Sequence, residues 1–152
     1  MIEYLSSWFF SEPTQLTGVY LRAGDRTDES WTHDDILGVK RPDVPLFVLT
    51  GNGTGSAAEA FSYDMLTQER ATLIGEVTGG AANPGWWQVI NERFEMFIPW
   101  GAAVNPITGT NWEGVGVTPH IEVSADEAFD IALEKAQAAA EVFRATQEPA
   151  SR

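Results

Sequence analysis

Five residues with no charge among them, Leu46-Phe47-Val48-Leu49-Thr50, run directly into Gly51-Asn52-Gly53-Thr54-Gly55-Ser56. A continuous apolar run of this length marks a strand covered on both faces, most often in a parallel sheet. The glycines behind it let the backbone swing sharply. Ala57, Ala60, Phe61 and Met65 then recur at helical spacing, which predicts a helix over 56–68 lying on the sheet. Residues 71–76 read as the next strand. Strand, helix and strand joined by short connections imply a right-handed βαβ crossover, and so an α/β fold.

Several chemistries use such a turn. A phosphate loop of the Walker type ends in Gly-Lys-Ser/Thr, and this turn has no lysine. A dinucleotide fingerprint fits at Gly51 and Gly53, with Glu76 closing the next strand at a plausible distance for a ribose contact. It fits less well at Ser56, which fills the third small position, and in the hairpins that follow instead of another βα unit. A nucleophile turn fits all of it: the serine lands at a helix N-terminus with its hydroxyl exposed. There the unpaired N–H of Ala57, helped by the helix dipole, can stabilise an oxyanion. A plain helix cap at Ser56 satisfies the same spacing.

Upstream, residues 1–10 suit a short amphipathic helix with Tyr4, Leu5, Trp8 and Phe9 near one face. Glu3 stands where a signal peptide carries Lys or Arg. Leu16–Leu21 alternates as a strand, 23–29 reads as a polar segment, and 31–37 as loop with a short helical turn. Downstream, 78–85 reads as a long flexible loop. Short strands with at least one hairpin follow over 86–90, 92–99 and 100–104, and 107–114 is turn-rich. The tryptophans Trp86, Trp87, Trp100 and Trp112 near these loops are expected in the core, with ligand stacking as the other use. The final helix begins at Ser124, with Glu127 three residues on as a capping box. It runs over 125–146 with Phe129, Ala132, Ala136, Ala140 and Phe143 as its apolar stripe. The organisation expected is one domain over 1–146 and a frayed tail over 147–152.

Composition narrows the partners. Twenty-two acidic against nine basic residues give a formal charge of −13, which repels phosphate backbones and argues against nucleic acid. No apolar run approaches the roughly 20 residues of a membrane span. Cysteine is absent, which removes disulfides and thiolate zinc sites. No metal or cofactor is expected.

Taken in order, 46–50, Thr54-Gly55-Ser56-Ala57-Ala58-Glu59-Ala60-Phe61, Arg70 through Ala81, and Asn105 through Pro119 closely resemble the carboxy-terminal processing (tail-specific) serine peptidases. The likeness is greatest to the branch containing interphotoreceptor retinoid-binding protein. The resemblance implies a ClpP/crotonase-like fold of ββα units, with extra β-hairpins and a C-terminal helix. It implies that Ser56 is the nucleophile and the Ala57 N–H an oxyanion donor. It further implies that Glu113 orders the catalytic network and that Gly55, Thr78, Gly79 and Gly80 line the substrate. The substrate implied is a polypeptide, held extended; retinoid-binding relatives imply a hydrophobic ligand, retinoid or fatty acid, as the alternative. The tail-specific branch activates its serine with a lysine at the position of Ala81, and tricorn-like relatives with an upstream histidine. Here the histidines are His33 and His120, each expected as a surface or turn residue. The family domain also starts earlier, with a strand and a glycine-rich loop. The chain is therefore expected to be the C-terminal part of a peptidase domain, inactive or slow in isolation, forming a homo-oligomer, and exported as family members commonly are.

Overall fold

The structure, a computed structural model, describes residues 1–147. Its centre is β3 (Phe47–Thr50), α2 (Ala57–Thr67) and β4 (Thr72–Gly75), with β3 and β4 parallel and paired from Phe47 with Thr72 to Thr50 with Gly75. The strand–helix–strand unit expected from the sequence is therefore present. A two-residue strand not foreseen, β8 (Ile121–Glu122), adds in parallel to the other side of β4. This leaves β3 at the edge of a sheet ordered β3-β4-β8. Its edge position explains why Leu49 is partly exposed, where the apolar run predicted cover on both faces.

A second sheet joins β1 (Gln15–Leu21) to β2 (Arg26–Trp31) on one side and to β7 (Gly101–Val104) on the other, both antiparallel. Strand β2 was not foreseen in the polar segment over 23–29, and the helical turn expected over 31–37 is absent. The sequence of β2 hides its structure because it is an exposed edge, where backbone pairing needs no apolar side chains. A third unit is the isolated hairpin of β5 (Gly85–Asn91) and β6 (Phe94–Pro99).

The core has two parts. Met65, Ala71, Leu73, Ala103, Trp112 and Val117 form the larger cluster, joining α2 and β4 to β7 and the 112–117 loop. Ile74 with Ala128 and Ala132 forms the smaller, under α3 (Ala125–Gln147). Helix α3 starts as expected, with Glu127 Oε2 accepting the Ser124 hydroxyl at 2.6 Å. Ala132 is buried and Ala136 and Ala140 are half-buried, as the expected apolar stripe requires, but its two aromatic ends, Phe129 and Phe143, are exposed and Ala128 is buried in place of Phe129. Of the frayed tail expected over 147–152, Gln147 is the last residue of α3, and 148–152 lie outside the described residues.

The N-terminal segment also departs from the amphipathic reading. Helix α1 (Ile2–Ser6) and a 3-10 turn (Ser7–Phe9) bury Ser6 and Ser7 while exposing Tyr4 and Leu5. The Ser7 hydroxyl donates to Glu3 O at 2.6 Å and accepts the His33 N–H at 2.7 Å, so a small polar residue serves as the joint here. Arg70 ties the segment down, its guanidinium donating to the carbonyls of Phe9, Arg41 and Val44.

Polar residues also occupy the inner face of α2, where Glu59, Ser62 and Asp64 are buried with Met65, while Ala57 is exposed. Asp64 Oδ1 accepts from the Thr17 N–H and hydroxyl at 2.8 and 2.6 Å and lies 3.3 Å from Asn105 Nδ2. Asn105 in turn accepts the N–H groups of Ile107 and Thr108. The segment starting at Asn105 is thus fixed to α2 and β1 by polar contacts.

Candidate active site

The turn after β3 is closed by its own threonine. Thr54 Oγ1 accepts the Gly51 N–H at 3.0 Å, and the Thr54 N–H donates to Gly51 O at 2.9 Å. Glu76, at the end of the neighbouring strand, accepts the Asn52 N–H at 3.0 Å. The carboxylate that a dinucleotide reading would place on a ribose is therefore engaged with the glycine turn itself.

Ser56 follows, exposed, immediately before α2, with φ 53° and ψ −119°. A non-glycine residue held in such a region costs about 1–3 kcal/mol and needs surroundings that over-determine it. Ser56 and Glu59 stand in capping-box positions. The Ser56 N–H donates to Glu59 Oε2 at 2.8 Å, whereas the hydroxyl makes no side-chain cap bond of full hydrogen-bond geometry. Ala57 occupies the first helical position, where α-helical geometry leaves an N–H without an intrahelical partner. An exposed hydroxyl beside such an N–H, at the positive end of a helix, is chemically suited to attack a carbonyl and hold the resulting oxyanion.

The segment after β4 packs against this turn, and it is not the flexible loop expected from its composition. Every N–H from Thr78 to Asn83 has an acceptor. Thr78 N–H donates to Val117 O at 3.3 Å and Gly79 N–H to Thr54 O at 2.8 Å. Gly80 and Ala81 N–H donate to Glu59 at 2.6 and 2.9 Å. Ala82 and Asn83 N–H donate to Glu113 Oε2 at 2.7 and 2.9 Å. Gly80 O accepts the Gly114 N–H at 2.9 Å, which docks the 113–116 turn alongside. Gly80 itself has φ 81°, and a Cβ there would lie 3.1–3.2 Å from the backbone nitrogens of Gly114, Val115 and Gly116, so close approach requires glycine.

The residues singled out from the sequence thus fall into one neighbourhood with different parts in it. Ser56, Ala57 and Gly55 form the exposed turn. Thr78 is buried and faces inward, its hydroxyl donating to Glu59 at 2.5 Å and accepting the Val117 N–H at 2.7 Å. Glu113 contacts the loop rather than Ser56. His33 lies 3.7 Å from Glu3, and His120 Nδ1 accepts the Leu73 N–H near the start of β4, so neither contacts Ser56. Ala81 shares Glu59 Oε2 with the Ser56 N–H. Among the described residues no cluster of His, Asp and Glu is placed to hold a metal, and no helix is long and apolar enough to cross a membrane.

Glu59 is the residue that sequence reasoning missed. Its signal was available: Ser56-Ala57-Ala58-Glu59 has the same spacing as Ser124 and Glu127. Burial alone would push its carboxyl up. The hydrogen bonds from Thr78, Ala81, Gly80 and Ser56 outweigh that and hold it below the usual carboxylate range.

Residues 5–123 match the model of peptidase family S41. Among solved structures, a photosystem II D1 C-terminal processing protease aligns with a TM-score of 0.61 at 19% identity, over 79% of this chain and 30% of that one. Mature CPAF complexed with lactacystin gives 0.57 at 20% identity, over 75% and 24%. A lipoprotein from Streptococcus agalactiae gives 0.63 at 16% identity, over 91% and 49%. The α/β fold is shared with these proteins, and the chain spans less than half the length of each.

Proposed function

The chain belongs to peptidase family S41, and on that premise we propose that it carries the nucleophile-bearing part of a serine peptidase domain acting on polypeptides. The observation that supports this best is the Ser56 turn, an exposed hydroxyl at a helix N-terminus on a backbone held in the left-handed region by its neighbours.

In this reading Ser56 Oγ attacks the carbonyl carbon of an extended peptide. The new C–O bond forms as the hydroxyl proton passes to a base, and the Ala57 N–H stabilises the oxyanion. Collapse breaks the C–N bond, the proton passes to the leaving amine, and water then hydrolyses the acyl-enzyme. A serine without a base is a weak nucleophile. Because no histidine or lysine among the described residues is bonded to Ser56, the reading assigns the base and the second oxyanion donor to polypeptide beyond these residues, with 1–146 as the C-terminal part of the domain. Glu113 acts on this site through the 82–83 backbone it holds, and Gly55 and 78–80 form the wall beside the scissile bond. A fluorophosphonate probe should label Ser56, and Ser56→Ala should abolish the labelling. No labelling in a chain extended at its N-terminus to full domain length overturns the reading.

A homo-oligomer and an exported location belong to the same proposal. Likeness to a lipoprotein supports export. Self-association is supported by the β5–β6 hairpin, where Trp86, Trp87, Ile90, Phe94, Phe97 and their apolar neighbours are all exposed. At roughly 200 Å² per large side chain, they leave on the order of 900 Å² of apolar surface divided between the two faces of the hairpin, so that each face carries about as much as the ~300–600 Å² largest patch of a typical monomer, a size that is often functional. The same hairpin favours a second reading, a module that binds a retinoid or fatty acid. Titration with either ligand should then quench tryptophan fluorescence, and a flat titration excludes it.

A further inference from the structure

We infer that Glu59 is the positioning residue for Ser56: one buried carboxylate holds the backbone of the nucleophile and the loop packed against it, so that turn and loop form a single rigid unit. The inference takes the role of Ser56 from the peptidase reading, and the clamp from geometry alone.

A helix-capping glutamate needs one partner, the N–H of the cap residue, and ordinarily remains in contact with water. Glu59 is 0% exposed. Three of its four donors lie 19 to 22 residues further along the chain, in Thr78, Gly80 and Ala81. Its oxygens divide the work. Oε1 takes the Thr78 hydroxyl and the Gly80 N–H, and Oε2 takes the N–H groups of Ser56 and Ala81. Ser56 and the loop are therefore tied through a shared oxygen, with no side-chain rotamer between them to relax. The Gly79 N–H to Thr54 O bond makes a second tie between the same two segments. Hydrogen bonds to an ionised acceptor are about twice as strong as neutral ones. Such a clamp suits a residue whose φ of 53° is otherwise disfavoured and whose hydroxyl must hold its aim.

Glu59→Gln is the discriminating variant. The amide keeps the shape but turns one oxygen into an NH2 that faces two donors, whichever way it is oriented. The rate of Ser56 acylation by a saturating fluorophosphonate should fall about tenfold to a hundredfold, with probe affinity unchanged, at a temperature where the variant is fully folded. Glu127→Gln, which weakens the cap of α3 and touches none of the donors of Glu59, serves as the destabilised control and should keep the parental rate. A Glu59→Gln protein that melts earlier but acylates at the parental rate overturns the inference and leaves Glu59 a structural cap. The clamp has a readout that needs no activity. In 1H–15N spectra the amides of Ser56, Gly80 and Ala81 should titrate together, with one midpoint below the usual glutamate range, and lose that titration in Glu59→Gln. Absent labelling of the parent extended at its N-terminus to full domain length sinks the peptidase reading while the spectra still decide the clamp; independent midpoints for the three amides overturn it.

Discussion

Two segments that are neighbours in sequence meet opposite fates. From Thr78 to Asn83 every backbone N–H is donated to an acceptor within the chain, four of them to the carboxylates of Glu59 and Glu113. From Trp86 to Ile98 the chain is a two-stranded hairpin whose large apolar side chains are exposed on both faces. Composition points the other way in each case. The glycine-rich segment reads as flexible and is pinned. The tryptophan-rich segment reads as core and is bare: Trp86 and Trp87 are 61% and 68% exposed, against 2% for Trp112. The difference lies in what each segment has to face. The loop packs between two turns whose acceptors need donors, whereas the hairpin is bonded only to itself, and a lone hairpin is marginal in water.

That contrast can be broken from the pinned side with the largest effect. Glu59→Ala removes a fully buried carboxylate and orphans four donors, so it should destabilise the fold by about 3–5 kcal/mol. Denaturant midpoints followed by circular dichroism would show it. A loss below about 1 kcal/mol would mean that the loop is held by other contacts.

A smaller effect comes from the other buried carboxylate of α2. Asp64 has its carboxyl pushed up to about 6, mainly by burial, against the opposing hydrogen bonds of Thr17 and Asn105. All three of its donors meet Oδ1, which leaves Oδ2 to carry the proton. Because the folded value lies above the unfolded 3.8, the native state retains a proton that the unfolded chain has released. Stability from this group is complete below about pH 4 and declines as pH rises through about 6, by at most about 3 kcal/mol. Asp64→Asn keeps an acceptor for Thr17 and Asn105 and should flatten the slope between pH 4 and 7, read from urea midpoints. An unchanged slope would assign it to other groups. Two carboxylates on one helix thus shift in opposite directions, according to whether donors reach both oxygens or only one.

The hairpin should yield the smallest change in stability. Trp87→Glu places a charge on a face that is already wet and should alter the folding free energy by no more than about 0.5 kcal/mol. By light scattering at micromolar concentration, it should convert an oligomer to a monomer. A monomeric parent would remove self-association from the proposal, and a Trp87→Glu protein that unfolds would show that the hairpin is packed after all.

What the sequence determined by itself is local. A charge-free run, three glycines and a helical repeat specify β3, the turn and α2, because each rests on contacts within a few residues, and they place Ser56 at the helix N-terminus. The Ser-x-x-Glu spacing likewise marks the start of α3. Tertiary structure decided the rest. Strand β2 exists because β1 offers it a backbone edge, although its side chains are those of a loop. Glu59 and Asp64 are buried because donors from residues 17, 78, 80, 81 and 105 converge on them. No periodicity encodes that convergence, since hydrogen bonds between distant segments depend on where the backbone brings a donor and not on which residue supplies it.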